Sequence, residues 1–352
     1  MEYAWQLFRY RLPLRRPLSL LGTQHAHREG LLLRLEDPEG YVGWGEVAPL
    51  PGLHRESLAI CRQQLATVLV SHNKPTPSTA PSVRFGVDMA QRMLQAKRTH
   101  PTLQAWVHPR ALRLPVNGLL TESEGDFKEA CKRLSISGFR AVKVKLGQGT
   151  VEQAIKRVEA VRTALGSKVE LRVDANRAWS WKQACRFAQG VQDADIAYCE
   201  EPLQDIERLA ALHELTGLPL ALDETLWQCP QWLTSSFPGL RALIVKPTVC
   251  GPWEASLRWM DYAQRHGLKV VFSSAFESGL GLLGIAVSAL VDSPSLTPCG
   301  FDTYHWLAED ILTEPLQLKD GNLYLPQHWP KVLNGRLESI IEGKKAVSFA
   351  SL

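Results

Sequence analysis

The chain has 352 residues, enough to bury one large core and a smaller second unit. Apolar residues make up 45% and charged residues 22%, the balance of an ordinary globular protein, and a net charge of +4 is too small to argue for nucleic acid as a partner. Seven cysteines, an odd count without a C-x-x-C pair, argue against a disulfide framework and for free thiols in a reducing, cytoplasmic setting.

The first fifty residues read as antiparallel strands. Tyr3 to Tyr10 and Gly30 to Leu35 have strand composition, and Asp37-Pro38-Glu39-Gly40 is a turn that closes a hairpin onto Tyr41 to Val47. The basic residues Arg9, Arg11, Arg15 and Arg16 read as solvated strand faces, with an anionic ligand as the alternative. The apolar stretch Leu18 to Leu21 is too short for a secretion signal. Leu20 to Arg28 reads as a polar loop, in which His25 and His27 are solvated rather than a metal pair. Helical periodicity begins after Ser57 and again at Ser82, with a Pro/Ser/Thr-rich loop from Ser71 to Ser82 between. Residues 1–110 therefore read as a compact α+β unit.

From Leu112 the texture changes. Short apolar runs recur at Leu112–Val116, Ala141–Leu146, Val169–Val173 and Ile196–Cys199, and again at Leu218–Leu222, Ala242–Val245, Lys269–Ser273 and Leu296–Phe301. Helix-like segments separate them, among them Asp126–Ser135, Val151–Leu165, Ser180–Gly190, Thr225–Leu233 and Pro252–His266. The longest apolar run, Leu280 to Val291, holds Gly281, Gly284 and Ser288 and is too short to span a bilayer. Strands joined by crossover helices imply parallel pairing and an α/β fold, a TIM-like (β/α) barrel over residues 111–303. A doubly wound sheet would carry a glycine-rich turn after its first strand, and Asn117-Gly118-Leu119-Leu120 is not one. The tail, residues 304–352, loses this rhythm and is expected to pack back on the N-terminal unit.

The polar residues at the strand ends form the pattern that matters. Successive strands end in Lys143 and Lys145, in Asp174, in Glu200, in Asp223 and in Lys246. The C-terminal rim is where a barrel keeps its chemistry. Three carboxylates from adjacent strands would converge and repel one another unless a cation sits among them. Oxygen donors without histidine or thiolate favour a hard ion, Mg²⁺, with Mn²⁺ able to substitute. A lysine is a poor base while it holds its proton. Beside Lys143 and a divalent cation, Lys145 is expected to give that proton up and act as the base. Lys246, across the mouth, would be an opposite-face acid or a fixed positive charge. Such a site removes a proton α to a carboxylate and stabilises an ene-diolate, so the expected partner is a small-molecule carboxylate, not nucleic acid or a membrane.

The series Lys-Val-Lys, Asp-Ala-Asn, Glu-Glu-Pro, Leu-Asp-Glu and Val-Lys-Pro resembles the enolase superfamily, in its muconate-lactonizing subgroup. Gly43 to Gly52 then resembles the α+β capping domain that closes over the barrel mouth, completed by the tail. Arg172 to Trp179, Phe272 to Ser278 and Gly300 to Thr303 bring the resemblance closer to the subgroup's dehydratases of menaquinone biosynthesis. Dipeptide epimerases and N-acylamino acid racemases, which share the lysines and acids, are the alternative, and a non-catalytic barrel the remote one. The resemblance implies Lys145 as base, Lys143 as its electrostatic partner, Lys246 as a stabilising cation, and Asp174, Glu200 and Asp223 as Mg²⁺ ligands. The reaction implied is syn dehydration of 2-succinyl-6-hydroxy-2,4-cyclohexadiene-1-carboxylate. Ser273 and Ser274 are candidates for holding the succinyl carboxylate. Arg172 would orient the base or form a buried ion pair, Asn176 would support the metal shell, and Glu201 and Glu224 would point away from the ion. A monomer is the expected state, although the superfamily includes larger assemblies.

Overall fold

Two long strands open the chain, β1 (Ala4–Leu20) and β2 (Thr23–Glu36), paired antiparallel from Ala4↔Glu36 to Leu20↔Thr23. In the computed structural model the described residues are 3–20, 23–71, 74–121, 127–232, 236–292, 297–332 and 337–343. Of the expected loop from Leu20 to Arg28, residues 21 and 22 lie outside those described and the others are strand instead, with Leu18 opposite His25 and Ser19 opposite Gln24. This end of the hairpin projects beyond its neighbours, so most of its side chains are wet and its composition mimics a loop. The turn after β2 forms as expected: Asp37 Oδ1 accepts the Glu39 and Tyr41 amides (3.0 and 2.9 Å) and Gly40 takes φ +86°.

β3 (Val42–Val47) completes the hairpin meander, and the helices α1 (Leu58–Ser71), α2 (Pro81–Thr99) and the short α3 (Leu103–Val107) follow. Gly43 and Gly45 let β3 lie directly on α2, since a Cβ on Gly45 would stand 1.8 Å from the Gly86 carbonyl oxygen. Leu31, Leu33, Val47, Leu65, Val83 and Val87 fill the core between sheet and helices.

The barrel sheet runs, in chain order, β5 (Gly118–Leu120), β6 (Ala141–Lys145), β7 (Glu170–Asp174), β8 (Ile196–Glu200), β9 (Leu220–Leu222), β10 (Leu240–Val245) and β11 (Lys269–Phe272), all parallel neighbours. The expected last strand, Leu296–Phe301, shrinks to Cys299 and Gly300, and residue 296 lies outside those described. These two residues close the ring. Asn117 donates to Cys299 O (2.9 Å) on one side, and Ser274 donates to Gly300 O (3.1 Å) on the other.

The first barrel strand is not Leu112–Val116. Arg113–Pro115, β4, instead pairs antiparallel with β13 (Asn322–Tyr324), which itself pairs with β12 (Gln317–Lys319). The chain enters the barrel at Val116 and Asn117, which pair with Cys299, and the first barrel strand starts at Gly118, where a Cβ would meet Leu134 at 2.6 Å. That glycine serves close helix packing and shortens the apolar run, so the strand carries little signal of its own. Part of the tail thus joins β4, while β14 (Glu338–Gly343) pairs with β1.

Helices α4 (Phe127–Ile136), α5 (Val151–Leu165), α6 (Trp181–Gly190) and α7 (Leu209–Thr216) alternate with the strands. Reciprocal caps by Thr150 with Gln153 and Ser180 with Gln183 start α5 and α6. α8 stops at Thr225–Gln228, short of the expected Leu233, because Pro230 cannot continue it; residue 233 is not among those described. α9 (Pro247–Cys250), α10 (Trp253–His266) and α11 (Gly279–Asp292) complete the shell. No helix of the described residues is long and apolar enough to cross a membrane.

Candidate active site

Strand alternation and parallel register bring the polar side chains together. Lys145 is in register with Asp174, and Asp174 with Glu200, so three adjacent strands present them on the barrel's inner face. Asp223 follows directly after β9. Asp174, Glu200 and Asp223 are all buried, and one oxygen from each lies within 4.8 Å of the others. Lys143 donates to Asp174 Oδ2 (3.2 Å) and Glu200 Oε2 (3.0 Å). Lys145 donates to Asp174 Oδ2 (2.6 Å) and Asn176 Oδ1 (3.1 Å), and Lys246 to Asp223 Oδ2. In the ring, β10 stands four strands from β6, so Lys246 faces Lys145 across the mouth.

The electrostatics of this group call for more positive charge. Burial lifts the Glu200 carboxyl, and Asp174 and Asp223 add to it against the pull of Lys143, so that it reaches about 8. Burial also pushes Asp174 upward, but Lys145 and Lys143 outweigh it and hold that carboxyl well below its usual range. Lys143 stays charged, since Glu200, Asp174 and Asp223 overcome the cost of burying it and raise its pKa. Among the described residues, Asp223 Oδ1 is buried without a hydrogen-bond partner. An orphaned carboxylate oxygen beside two more buried acids is costly as it stands, and an oxygen-seeking divalent cation is the group that would satisfy it. The donor set therefore fits the metal that the superfamily implies.

A second layer holds the acids in place. Glu201 Oε1 accepts the backbone amides of Asp223 (2.7 Å) and Thr225 (2.8 Å), and its other oxygen accepts from Arg177. Arg177 reaches on to Gln228 and Thr225. Asn176 and Arg177 both take left-handed backbone (φ +47° and +58°), which turns the chain so that the Asn176 amide donates to Asp174 Oδ1 at 3.0 Å. Burial and the Asp223 charge, opposed by Lys246, raise the Glu224 carboxyl to about 7.

The remaining candidates are placed differently from one another. Arg172 is fully buried below the mouth, where it bonds to Glu170 (2.8 Å), Asn117 (3.1 Å) and the Pro298 carbonyl (2.7 Å). Of its two readings, this geometry is the buried ion pair. Ser273 and Ser274 lie at the rim, but both hydroxyls donate to the Gly300 carbonyl (3.5 and 3.2 Å), and Ser274 also meets Thr303.

Several buried polar residues were not anticipated. Glu46 of β3 accepts the Ser278 and Gly281 amides (3.0 and 3.1 Å) and the Tyr10 hydroxyl (2.8 Å). It clips the first sheet to the start of α11, where the helix end favours an anion. Its place behind Gly-Trp-Gly is the one signal that this acid is buried. Glu277 accepts from Thr248 (2.7 Å) and from the Ala275 amide (2.6 Å). His54 accepts the Leu50 amide at Nδ1 (3.0 Å), and burial followed by the charges of Arg28 and Lys246 brings its pKa down to about 3, so it is neutral. Arg28 and His54 look in the sequence like any polar residues near a turn.

Comparison with known proteins decides the family. Residues 126–329 match the model described as "Enolase C-terminal domain-like", and residues 3–94 match "MenC, N-terminal domain". The o-succinylbenzoate synthase of Edwardsiella ictaluri is 32% identical, over 87% of this chain and 92% of that one. The chain belongs to the o-succinylbenzoate synthase family. It is thus an enzyme of the enolase superfamily, and its trio of acids is a group that could hold a metal ion. Another member of the set of relatives, "Protein PHYLLO, chloroplastic" of Arabidopsis thaliana, is 33% identical over 82% of this chain, which spans only 20% of that protein. The dipeptide epimerase of Cytophaga hutchinsonii, solved with Mg and the dipeptide D-Ala-L-Val, superposes with a TM-score of 0.79 over 97% of this chain and 99% of that one. At 20% identity it shows that the o-succinylbenzoate synthase family shares its fold with epimerases.

Proposed function

We propose that this chain catalyses the Mg²⁺-dependent syn dehydration of 2-succinyl-6-hydroxy-2,4-cyclohexadiene-1-carboxylate to o-succinylbenzoate. The observation that carries the reading is the pair of amines, Lys145 and Lys246, set on opposite sides of three converging carboxylates. Asp174, Glu200 and Asp223 would hold Mg²⁺, whose charge makes the ene-diolate of the substrate carboxylate accessible. Lys145 as free amine takes the α-proton, and the C–H electrons pass into the carboxylate. The same Lys145, now an ammonium, returns that proton to the C6 hydroxyl on the same face. The C–O bond breaks, water leaves, and the electron pair closes the aromatic ring. Lys143 stays protonated, bonded to two of the acids, and fixes where Lys145 sits. Lys246 serves as a stationary positive charge opposite the base.

Two features favour this over the epimerase or racemase alternative. The relatives that align over most of their length at 30–32% identity are named o-succinylbenzoate synthases, whereas the epimerase above shares only the fold. An epimerase of the dipeptide kind usually carries Asp-x-Asp after strand eight to hold an amino group. Here Phe301 is buried, and Asp302 is taken up by the Leu119 amide (2.8 Å) and His305 (2.7 Å). The direct test is to incubate the purified chain and Mg²⁺ with the cyclohexadiene and follow the diene absorbance. The expected result is conversion to the aromatic product. No conversion, with racemisation of an N-acylamino acid in its place, would overturn the assignment.

A further inference from the structure

Arg28 is buried to 2% exposure, yet among the described residues its guanidinium bonds to backbone carbonyls rather than to a carboxylate. On the β3 side it donates to Ala48 and to Pro49 (3.1 Å), and on the barrel side to Phe276 (2.9 Å) and Ala275 (3.5 Å). The planar fork of an arginine can join two segments in this way, and no other side chain offers the same geometry.

The segment it grips follows β11 and begins with Ser273 and Ser274. It is held against its own preference. Phe276 has φ +63°, a conformation that a bulky residue keeps only when its surroundings impose it. Glu277 ties the segment's Ala275 amide to Thr248, two residues beyond Lys246. Glu46 fixes its far end at Ser278. Phe276 stacks edge-on against Trp306 at 5.5 Å. Arg28 is thus the point at which β2, the 48–50 segment and the loop after β11 meet.

We infer that Arg28 is a positioning residue for the catalytic site, acting through the 273–278 loop to set the shape of the mouth at Ser273 and Ser274, beside which the carboxylate tail of the substrate lies. The inference rests on the dehydratase reading for its substrate but not for its structural half. It makes seating of the N-terminal sheet on the barrel a condition for binding the tail, while proton transfer at Lys145 is left alone.

The test compares the full-length chain with Arg28→Met and Arg28→Lys. Amide hydrogen exchange should accelerate at least tenfold in residues 273–281 of Arg28→Met and stay unchanged in β6, β7 and β8. Steady-state kinetics should show KM raised at least tenfold with kcat lowered less than threefold, and Mg²⁺ affinity by calorimetry within twofold of wild type. Arg28→Lys, which keeps the charge and loses the fork, should fall between. Exchange unchanged in 273–281, or raised equally throughout the barrel, overturns the inference, as does a loss confined to kcat. Should Arg28→Met fail to fold, Arg28→Lys decides: faster exchange confined to residues 273–281 with a raised KM supports the inference, and exchange unchanged there overturns it. A wild-type chain without dehydratase turnover would sink the proposed reaction, while the exchange result would still decide the role of Arg28 in the loop.

Discussion

Lys143 and Lys145 stand two residues apart on one strand, and their surroundings divide the work between them. Lys143 is enclosed by two carboxylates, whereas the Lys145 side chain is 32% exposed and reaches toward the mouth. Replacing Lys145 with Ala is expected to cut turnover by about 10³-fold or more while leaving Mg²⁺ affinity intact, as calorimetry would show. Near-normal rates in that variant would remove the base from the mechanism. Lys246→Ala separates the rival reactions: a dehydratase keeps the proton exchange served by Lys145, and an epimerase loses exchange from one face, which NMR in D₂O reads directly. Glu200 supplies a pH signature. Below about 8 it holds a proton that an arriving ion must displace, so Mg²⁺ affinity should climb as pH rises to that point and level off above it. An affinity constant from pH 6 to pH 9 would contradict this.

At the scale of elements, β3 and α2 approach so closely at Gly43 and Gly45 that neither position has room for a side chain. A methyl group on Gly45 would strike the Gly86 carbonyl, part of the helix backbone, which cannot swing aside. Gly45→Ala is therefore expected to cost about 3 kcal/mol of stability, measurable by urea unfolding. A change under half that size would mean that the sheet can slide on the helix. The strand ends of the barrel obey the same economy of position. Lys145, Asp174 and Glu200 converge because register aligns them, and Glu201, one residue on, turns to brace the Asp223 and Thr225 amides instead.

For the whole molecule, the site is a store of unfavourable charge that a divalent cation would relieve. Mg²⁺ at a hundred times its dissociation constant should stabilise the fold by about 2.7 kcal/mol, and EDTA should reverse the gain. A melting temperature indifferent to both would argue against an ion among the acids. The barrel and its charged rim were legible in the chain because both are periodic: apolar runs separated by helices, five of those runs in succession ending in Lys, Asp or Glu. The projecting β1–β2 hairpin, the true first strand at Gly118 and the two-residue closure at Cys299 and Gly300 were not. Their residues are polar, small or few, and what makes them strands is the partner alongside.

Local pattern and residue chemistry fix the alternation of strands and helices from β6 to β11 and the identity of the acids and amines at the rim, so both can be read from the chain. Folding decided which distant partners meet: Arg172 reaches Asn117 and the Pro298 carbonyl beneath the mouth, Asp302 is taken up by the Leu119 amide, and Arg28 and Glu46 join the first sheet to the barrel. Each of those contacts spans a distance along the chain over which no periodicity carries information, and each depends on which donor or acceptor folding leaves within reach.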